Sequence, residues 1–477
     1  MKNLAWVAAM AVPLCSGCVL PVRHEAVKLP ELPAAWQAEF EAPADAASLP
    51  SPSPSPSPSP SPSRPATPST NASADRWWQA FADPRLDSLI DTALANNADL
   101  AVAALTVHRA LLEASRAGAE TGPQAAFVAS ADASRAFNQD RVRALAGVNA
   151  TVSYELDLWG KLAARRDEAR WRAQASEADR EAAALVLVGA AAKLYWRIGY
   201  LNETIELGQA DITDAERTVA VAQARLSAGA DSPLDLAQAQ QQLAQAQADL
   251  TRWQQQRETQ RNALGLLLGG LPEKRGAEPP DLAAAVVPPV AAHLPAVVLA
   301  RRPDVRAAEW RVRARAAQVD VARASLYPSL TLTGEFGTSS DMLMRVMQNP
   351  VASIGTALAL PFVQWNTVRL NAALAETDLD RETVEFRRAL YRALADVEDA
   401  LAAKAKLAEK DTHLTRSLSA AGVAATLART RYESGATGIA PLLDAQRIER
   451  TAAKERTENR LALLENRMDL FLALGGV

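Results

Sequence analysis

Apolar residues recur along most of this chain at helical spacing, and in two short regions that spacing gives way to alternation. No proline occurs between Pro123 and Pro233, between Pro361 and Pro441, or after Pro441, and these tracts are rich in Ala, Leu, Arg, Glu and Gln. Long helices need such tracts, because proline removes a ladder donor while those five residues lose little freedom in a helix. Reading between the breakers predicts helices over about 85–121, 161–228 and 232–269. The middle one would be roughly 100 Å long at 1.5 Å per residue, far beyond a globular helix. In the third, Leu236, Ala239, Leu243, Ala246, Leu250 and Trp253 alternate by three and four, as a coiled-coil seam does. An ordinary core helix shows the same seam, but the length of its neighbour favours the coiled coil.

Between the first two helices Val148, Ala150, Val152, Tyr154, Leu156 and Leu158 alternate with Asn149, Thr151, Ser153, Glu155 and Asp157. That is the period of a strand with one apolar and one polar face. The stretch 125–136 alternates more weakly, with Ser130, Asp132 and Ser134 on one face. Further on, Leu330, Leu332 and Phe336 stand against Thr331, Thr333 and Glu335, returning through Ile354, Thr356, Leu358, Leu360 and Phe362. Two β-hairpins are therefore predicted, over about 124–159 and 329–363. Strands of about 10 to 12 residues cross a membrane when tilted, yet a half-buried soluble sheet gives the same alternation. Four strands alone leave two unpaired edges, which hydrocarbon does not tolerate, and the smallest closed barrels have about eight. Either the sheet is soluble or several chains share one barrel. Tyr154, Trp159, Phe362 and Trp365 lie toward strand ends, where an aromatic girdle would sit.

The two hairpins belong to a longer self-similarity. Leu94-Ala95-Asn96-Asn97-Ala98-Asp99-Leu100 recurs as Leu299-Ala300-Arg301-Arg302-Pro303-Asp304-Val305, and Pro123 as Pro328, about 205 positions on. Arg225-Leu226-Ser227-Ala228-Gly229 recurs as Arg431-Tyr432-Glu433-Ser434-Gly435, and Leu268-Gly269-Gly270 as Leu474-Gly475-Gly476, at an offset of about 206. Four blocks at one offset indicate an internal tandem repeat, 76–270 and 291–477, joined by a Pro-rich linker over 271–290.

Composition narrows the chemistry. The 477 residues are 49% hydrophobic and 22% charged, enough for a large core. Lys plus Arg at 51 against Asp plus Glu at 55 gives a net charge of -4, without the positive field that nucleic-acid binders use. Nucleic acid is not an expected partner. The cysteines are Cys15 and Cys18, and His24, His108, His293 and His413 are scattered, so neither a thiol nucleophile nor a metal motif stands in the body of the chain. No Gly-rich phosphate loop, His-Glu-x-x-His or Gly-x-Ser-x-Gly occurs, so no catalytic residue, metal or cofactor is expected.

The N-terminal stretch has Lys2, an apolar run over 4–14 too short to span a bilayer, and small residues up to Cys18, the layout of an export signal. Cys15-Ser16-Gly17-Cys18 matches redox spacing but lacks the fold that chemistry needs. The stretch resembles a bacterial lipobox, with 1–17 as signal peptide and Cys18 as the lipidated N-terminus. Cys15 stands where lipoboxes usually carry Leu. Val19 stands where an Asp would retain such a lipoprotein in the inner membrane, which points to the outer one. After it, 18–75 carries the anchor and a Ser/Pro-rich spacer whose strict Ser-Pro alternation over 51–63 favours extended polyproline II.

Larger motifs extend the picture: Trp77-Trp78 with Phe81-Ala82-Asp83-Pro84, Tyr154-Glu155-Leu156-Asp157-Leu158-Trp159-Gly160, Arg302-Pro303-Asp304-Val305 with Ala308-Glu309, and Tyr327-Pro328-Ser329. Asp396-Val397-Glu398-Asp399-Ala400-Leu401, Arg431-Tyr432 with Gly435, Leu442-Leu443-Asp444-Ala445-Gln446-Arg447 and Ala473-Leu474-Gly475-Gly476 complete them. With these the chain resembles the outer-membrane efflux proteins of the TolC superfamily, most closely their OprM/NodT-like lipoprotein branch. The resemblance implies a mainly α fold with transmembrane β: a homotrimer whose chains give four strands each to one shared 12-stranded barrel, continued by a long α-helical periplasmic tunnel. It implies a passive exit duct in the outer membrane of a Gram-negative bacterium, lipid-anchored and extending into the periplasm. Its partners would be outer-membrane lipid, a periplasmic adaptor (membrane fusion) protein and an inner-membrane efflux pump that supplies the energy. Small molecules such as drugs, toxic organics or metals would be the cargo. A type I secretion duct and a non-channel coiled-coil scaffold lipoprotein are the alternatives.

The resemblance also names a gate. Gly229 and Gly435 would form the helical-turn tips at the periplasmic end, Asp444 would match an acidic ring and Tyr432 an inter-helix contact. Asp235 would hold the corresponding place in repeat one. A second ring position falls on Pro441 and a tip arginine on Thr437.

Overall fold

The computed structural model describes residues 76–135, 142–271, 278–282, 285–289, 296–340, 350–360 and 364–476. Cys18, the signal peptide 1–17, the spacer 18–75, much of the linker 271–290 and Phe362 lie outside the described residues. A 3-10 turn, Trp77–Phe81, precedes α1 (Pro84–Asn96), α2 (Ala98–Ala119), β1 (Gln124–Arg135), β2 (Val142–Leu156), α3 (Lys161–Ser227) and α4 (Pro233–Leu267). A second 3-10 turn, Ala296–Arg301, precedes α5 (Pro303–Ala324), β3 (Ser329–Ser340), β4 (Pro350–Ala359), α6 (Trp365–Glu433) and α7 (Ala440–Ala473). Helix, hairpin, long helix and shorter helix thus recur in order, as the repeat requires.

One expectation changes. The helix predicted over 85–121 is two, because Asn97 is extended (ψ 127°) and its Oδ1 accepts from the Leu100 N–H. An asparagine side chain that caps locally competes with helix continuation and starts a new one. Its amide donates to the Leu267 carbonyl at 2.9 Å. In repeat two the matching residue, Arg302, donates to the Ala473 carbonyl at 3.2 Å, the same carbonyl one repeat later.

The chain forms two compact units. In one, of residues 104–179 and 306–389, the strands make an antiparallel sheet in the order β1-β2-β3-β4. The register pairs Asn149 with Gly337, Thr151 with Glu335 and Ser153 with Thr333, so the polar positions share a face. The other face carries Phe127, Val152, Phe336, Leu358 and Ile354, the last 94% exposed. Val128, opposite Asn149, breaks the alternation on the polar face. The strand-to-helix junction explains the motif around Trp159. Asp157 leaves the strand and caps α3 by accepting from the Leu162 and Ala163 N–H groups at 2.9 and 2.8 Å. Gly160 takes a left-handed φ of 74°. Trp159 stacks on Tyr327 at 4.8 Å and donates to the Pro328 carbonyl at 2.7 Å.

The other unit, from residues 31–103, 180–305 and 390–477, is described from Arg76 onward and holds the main core. Trp78, Phe81, Leu86, Ile90, Tyr195, Trp196, Leu464, Met468 and Phe471 fill it. Asp83 caps α1 and accepts the Tyr195 hydroxyl at 2.7 Å. One 18-residue window of α3 is apolar enough by length and composition to cross a membrane, but half of it is buried inside the fold. Gly208 lets the Trp253 ring lie against α3, since a Cβ there would stand 2.6 Å from the indole. That contact seats the α3–α4 seam.

Candidate functional site

Both long helices end in the same reversal. After α3, Gly229 (φ 73°) donates to the Leu226 carbonyl at 3.0 Å and Ala230 to the Arg225 carbonyl at 2.8 Å. After α6, Gly435 (φ 76°) donates to the Tyr432 carbonyl at 2.9 Å and Ala436 to the Arg431 carbonyl at 2.8 Å. This paired pattern closes a helix end and needs a left-handed residue, hence glycine in both repeats.

The shorter helices start differently. Ser232 caps α4: its hydroxyl accepts from the Asp235 N–H at 3.3 Å, while Asp235 Oδ2 accepts from the Ser232 N–H at 2.9 Å and hydroxyl at 2.7 Å. The Ser232 side chain, then its backbone, hold the Asp235 carboxyl below the usual carboxylate range. α7 begins at Ala440 without a side-chain cap. Asp444 is one turn in, its side chain 60% exposed and paired with Arg447 at 2.6 Å. Asp235 and Asp444 therefore do not take equivalent places: one closes a capping box, the other stands on an open helix face.

Tyr432 is buried, 1% exposed, among Ala222, Ala239, Ile439 and Leu442. Its hydroxyl donates to Asp231 Oδ2 at 2.6 Å, not to Asp235. Arg225 completes the arrangement, donating from Nε to Asp231 Oδ1 at 3.0 Å and from Nη1 to the Tyr432 carbonyl at 3.0 Å. Its guanidinium lies 4.8 Å from the centre of the Tyr432 ring. Burial, then the bond to Asp231, push the Tyr432 hydroxyl above its ordinary range, so it stays a donor. Two further pairs cross between α3 and α6, Asp214 with Arg429 at 3.1 Å and Arg217 with Glu433 at 3.7 Å.

The expected residues thus divide. Gly229, Gly435 and Tyr432 come together at one end of the paired helices, whereas Asp235 is engaged by Ser232 and Asp444 by Arg447. Arg225 and Asp231 escaped sequence reading as site residues. The signal lay in the repeated block, where Arg225 recurs as Arg431, but it served there only as proof of duplication.

The family profile described as outer membrane efflux protein matches residues 89–270 and 294–476, once per repeat. The chain is 33% identical over 416 residues to the pyoverdine export outer membrane protein OpmQ of Pseudomonas putida, covering 84% of this chain and 88% of that one. It is 28% identical over 410 residues to the toxin and drug export protein A of Aggregatibacter actinomycetemcomitans, covering 84% and 87%. The open-state crystal structure of the Neisseria gonorrhoeae MtrE outer membrane channel superposes with a TM-score of 0.80 at 28% identity, covering 96% of this chain and 98% of that one. With a TolC-like fold and a family match in each repeat, the chain belongs to the outer membrane efflux protein family.

Proposed function

We propose that the protein is the passive exit duct of a tripartite efflux system, acting as a homotrimer with a periplasmic adaptor and an inner-membrane pump. The observation that carries this reading is the sheet. Four strands with an exposed apolar face and outer strands β1 and β4 cannot stand alone in hydrocarbon, because every backbone group there must be paired. Three copies supply twelve strands and close the edges. Cargo passes through without covalent change, energy comes from the pump, and the protein is not an enzyme. Cys18 carries the lipid anchor and the spacer over 18–75 links it to the body.

Small molecules are the cargo class. Relatives whose names specify pyoverdine, toxin and drug, or toluene all match this chain over more than four fifths of its length, which supports a duct whose cargo is set by the pump. A type I secretion duct is the second reading, since one of those names specifies toxin export. At the periplasmic tips Asp444 from three chains forms an acidic ring beside the Tyr432 cluster. Single-channel recording in planar bilayers tests the proposal: discrete, cation-preferring conductance from a trimer supports it, and a purified protein that never conducts overturns it.

A further inference from the structure

We propose that a cleft between α3, α4 and α7 binds a small organic anion with an aromatic or otherwise apolar body, the Trp253 ring receiving the body and Arg450 and Lys454 the charge. The inference goes beyond the exit-duct reading and does not depend on it.

The cleft encloses about 320 Å³, within the range of roughly 300 to 1,000 Å³ typical of ligand sites. All three walls belong to one compact unit. On α3, Leu207 is 39% exposed, and Gly208 yields the place of its missing Cβ to the Trp253 ring, which a Cβ would meet at 2.6 Å. The indole can therefore lie close against α3 as an apolar floor. The rim is basic: Arg252, Arg447, Arg450 and Lys454 stand against two carboxylates, Asp211 and Asp249. Arg252 is engaged by Asp249 at 2.8 Å and Arg447 by Asp444 at 2.6 Å. Arg450 and Lys454 make no hydrogen bond or ion pair among the described residues. Four positions apart on one helix, they are neighbours on its surface and repel each other unless an anion lies between them.

Asp211 does not fill that role. Burial pushes its carboxyl up to about 6 in spite of the Arg450 charge, and Asp214 on its own helix and Glu449 on α7 add to the rise. Asp249 and Arg252 face the same cleft from α4. A proton taken up by Asp211 removes a like charge from beside a bound anion.

The second repeat shows that helix packing does not require this arrangement. At the offset of 206, Leu414 stands where Gly208 stands and Asn459 where Trp253 stands. Leu414 is 9% exposed, and Asn459 is buried with its amide donating to the Leu407 carbonyl at 3.2 Å. A large residue on the long helix and a small one on the shorter helix close the seam there. Repeat one inverts the sizes, and with the inversion comes an aromatic floor beside free cations.

The test is isothermal titration calorimetry of the full-length protein in detergent, with naphthalene-2-sulfonate as probe and neutral naphthalene-2-methanol and inorganic sulfate as comparisons. The sulfonate should saturate one site per chain and bind at least about tenfold tighter than either comparison, because only it uses both floor and rim. Trp253→Leu and the double variant Arg450→Gln with Lys454→Gln should each weaken it about tenfold, whereas Arg388→Gln, which removes an exposed cation elsewhere, should leave it unchanged. Affinity should rise about threefold from about pH 7.5 to 5.5 as Asp211 takes up its proton, and Asp211→Asn should abolish that rise. The rim variant alters only the rim cations, so it keeps the test decisive if Trp253→Leu fails to fold. Equal binding of the neutral alcohol or of sulfate, or wild-type affinity in the rim variant, overturns the site. Binding of an acidic peptide but not of the sulfonate also overturns it and assigns the cleft to a protein partner. No bilayer or pump enters the measurement, so its failure leaves the duct reading standing, and a protein that binds the probe yet never conducts overturns the duct reading alone.

Discussion

A carboxylate acts on a passing ion only to the extent that its neighbours leave its field free, and the three aspartates at the helix tips differ in that respect. Asp231 is neutralised by Arg225 and Asp235 is held by Ser232, whereas Asp444 is exposed and pairs with Arg447 on its own helix. Carboxylates about 7 Å apart in a trimeric ring repel by roughly 0.6 to 2.4 kcal/mol per pair at effective dielectrics of about 80 to 20. Such a ring attracts cations. Asp444→Ala should reduce cation selectivity and block by multivalent cations, and Arg447→Ala should increase both, as reversal potentials in a salt gradient will read out. Identical selectivity in both variants would place Asp444 away from the constriction. Arg302 sets a second test at this scale, since it is 9% exposed and bridges Asp304, Asp396 and the Ala473 carbonyl. Burial pushes the Asp304 carboxyl up, but the hydrogen bonds and charge of Arg302 outweigh it and hold that group below its ordinary range. A depressed folded value means stability present above the unfolded value of 3.8 and lost as pH falls through the folded one. Arg302→Ala should therefore cost about 1.5 to 3 kcal/mol at neutral pH, and less once pH has fallen through the depressed folded value, in thermal melts.

At the scale of elements, the left-handed glycines can be ranked. A Cβ on Gly229 meets nothing within 4 Å, whereas on Gly269 it collides with the Asn96 carbonyl and on Gly476 it comes within 2.7 Å of Trp77 Nε1. Gly229→Ala should then cost only the left-handed strain, about 1 to 2 kcal/mol, while Gly269→Ala should cost clearly more because backbone must also move. Melting temperatures of the two variants decide this, and a reversed order would contradict the packing. The helices were legible because proline-free tracts and glycine stops are local signals: the predicted 161–228 and 232–269 became Lys161–Ser227 and Pro233–Leu267. The break at Asn97 was not, since an asparagine cap inside an apolar pattern gains its meaning from a carbonyl 170 residues away. The strands were legible from alternation, although Val128 and the handover of Asp157 from strand to cap depend on register and junction geometry. At the site, glycine and tyrosine positions could be read, but the choice of Asp231 over Asp235 could not. Asp231 lies in the turn and Asp235 in the first turn of α4, and the choice depends on which one Ser232 has already engaged.

The whole molecule poses an anchoring question with two candidate answers, a lipid and a barrel. The strands run 12, 15, 12 and 10 residues. At about 3.3 Å per residue and a tilt near 40°, these lengths cover the apolar band of an outer membrane, about 25 Å tall. One chain cannot use that surface alone, because β1 and β4 would expose unpaired backbone, so the sheet calls for further copies to close its edges. Native mass measurement in detergent should accordingly give a trimer, and a stable monomer or dimer would remove the shared barrel. A lipid at Cys18, as proposed, would add about 0.8 kcal/mol per buried methylene. Twelve strands bury far more apolar surface than that, so the barrel dominates. Cys18→Ser should therefore lose incorporation of labelled palmitate yet remain in the membrane fraction through a high-salt or carbonate wash. Recovery of the unlipidated variant as a wholly soluble monomer would make the lipid the only anchor and the exposed apolar face of the sheet a contact between proteins rather than with the bilayer.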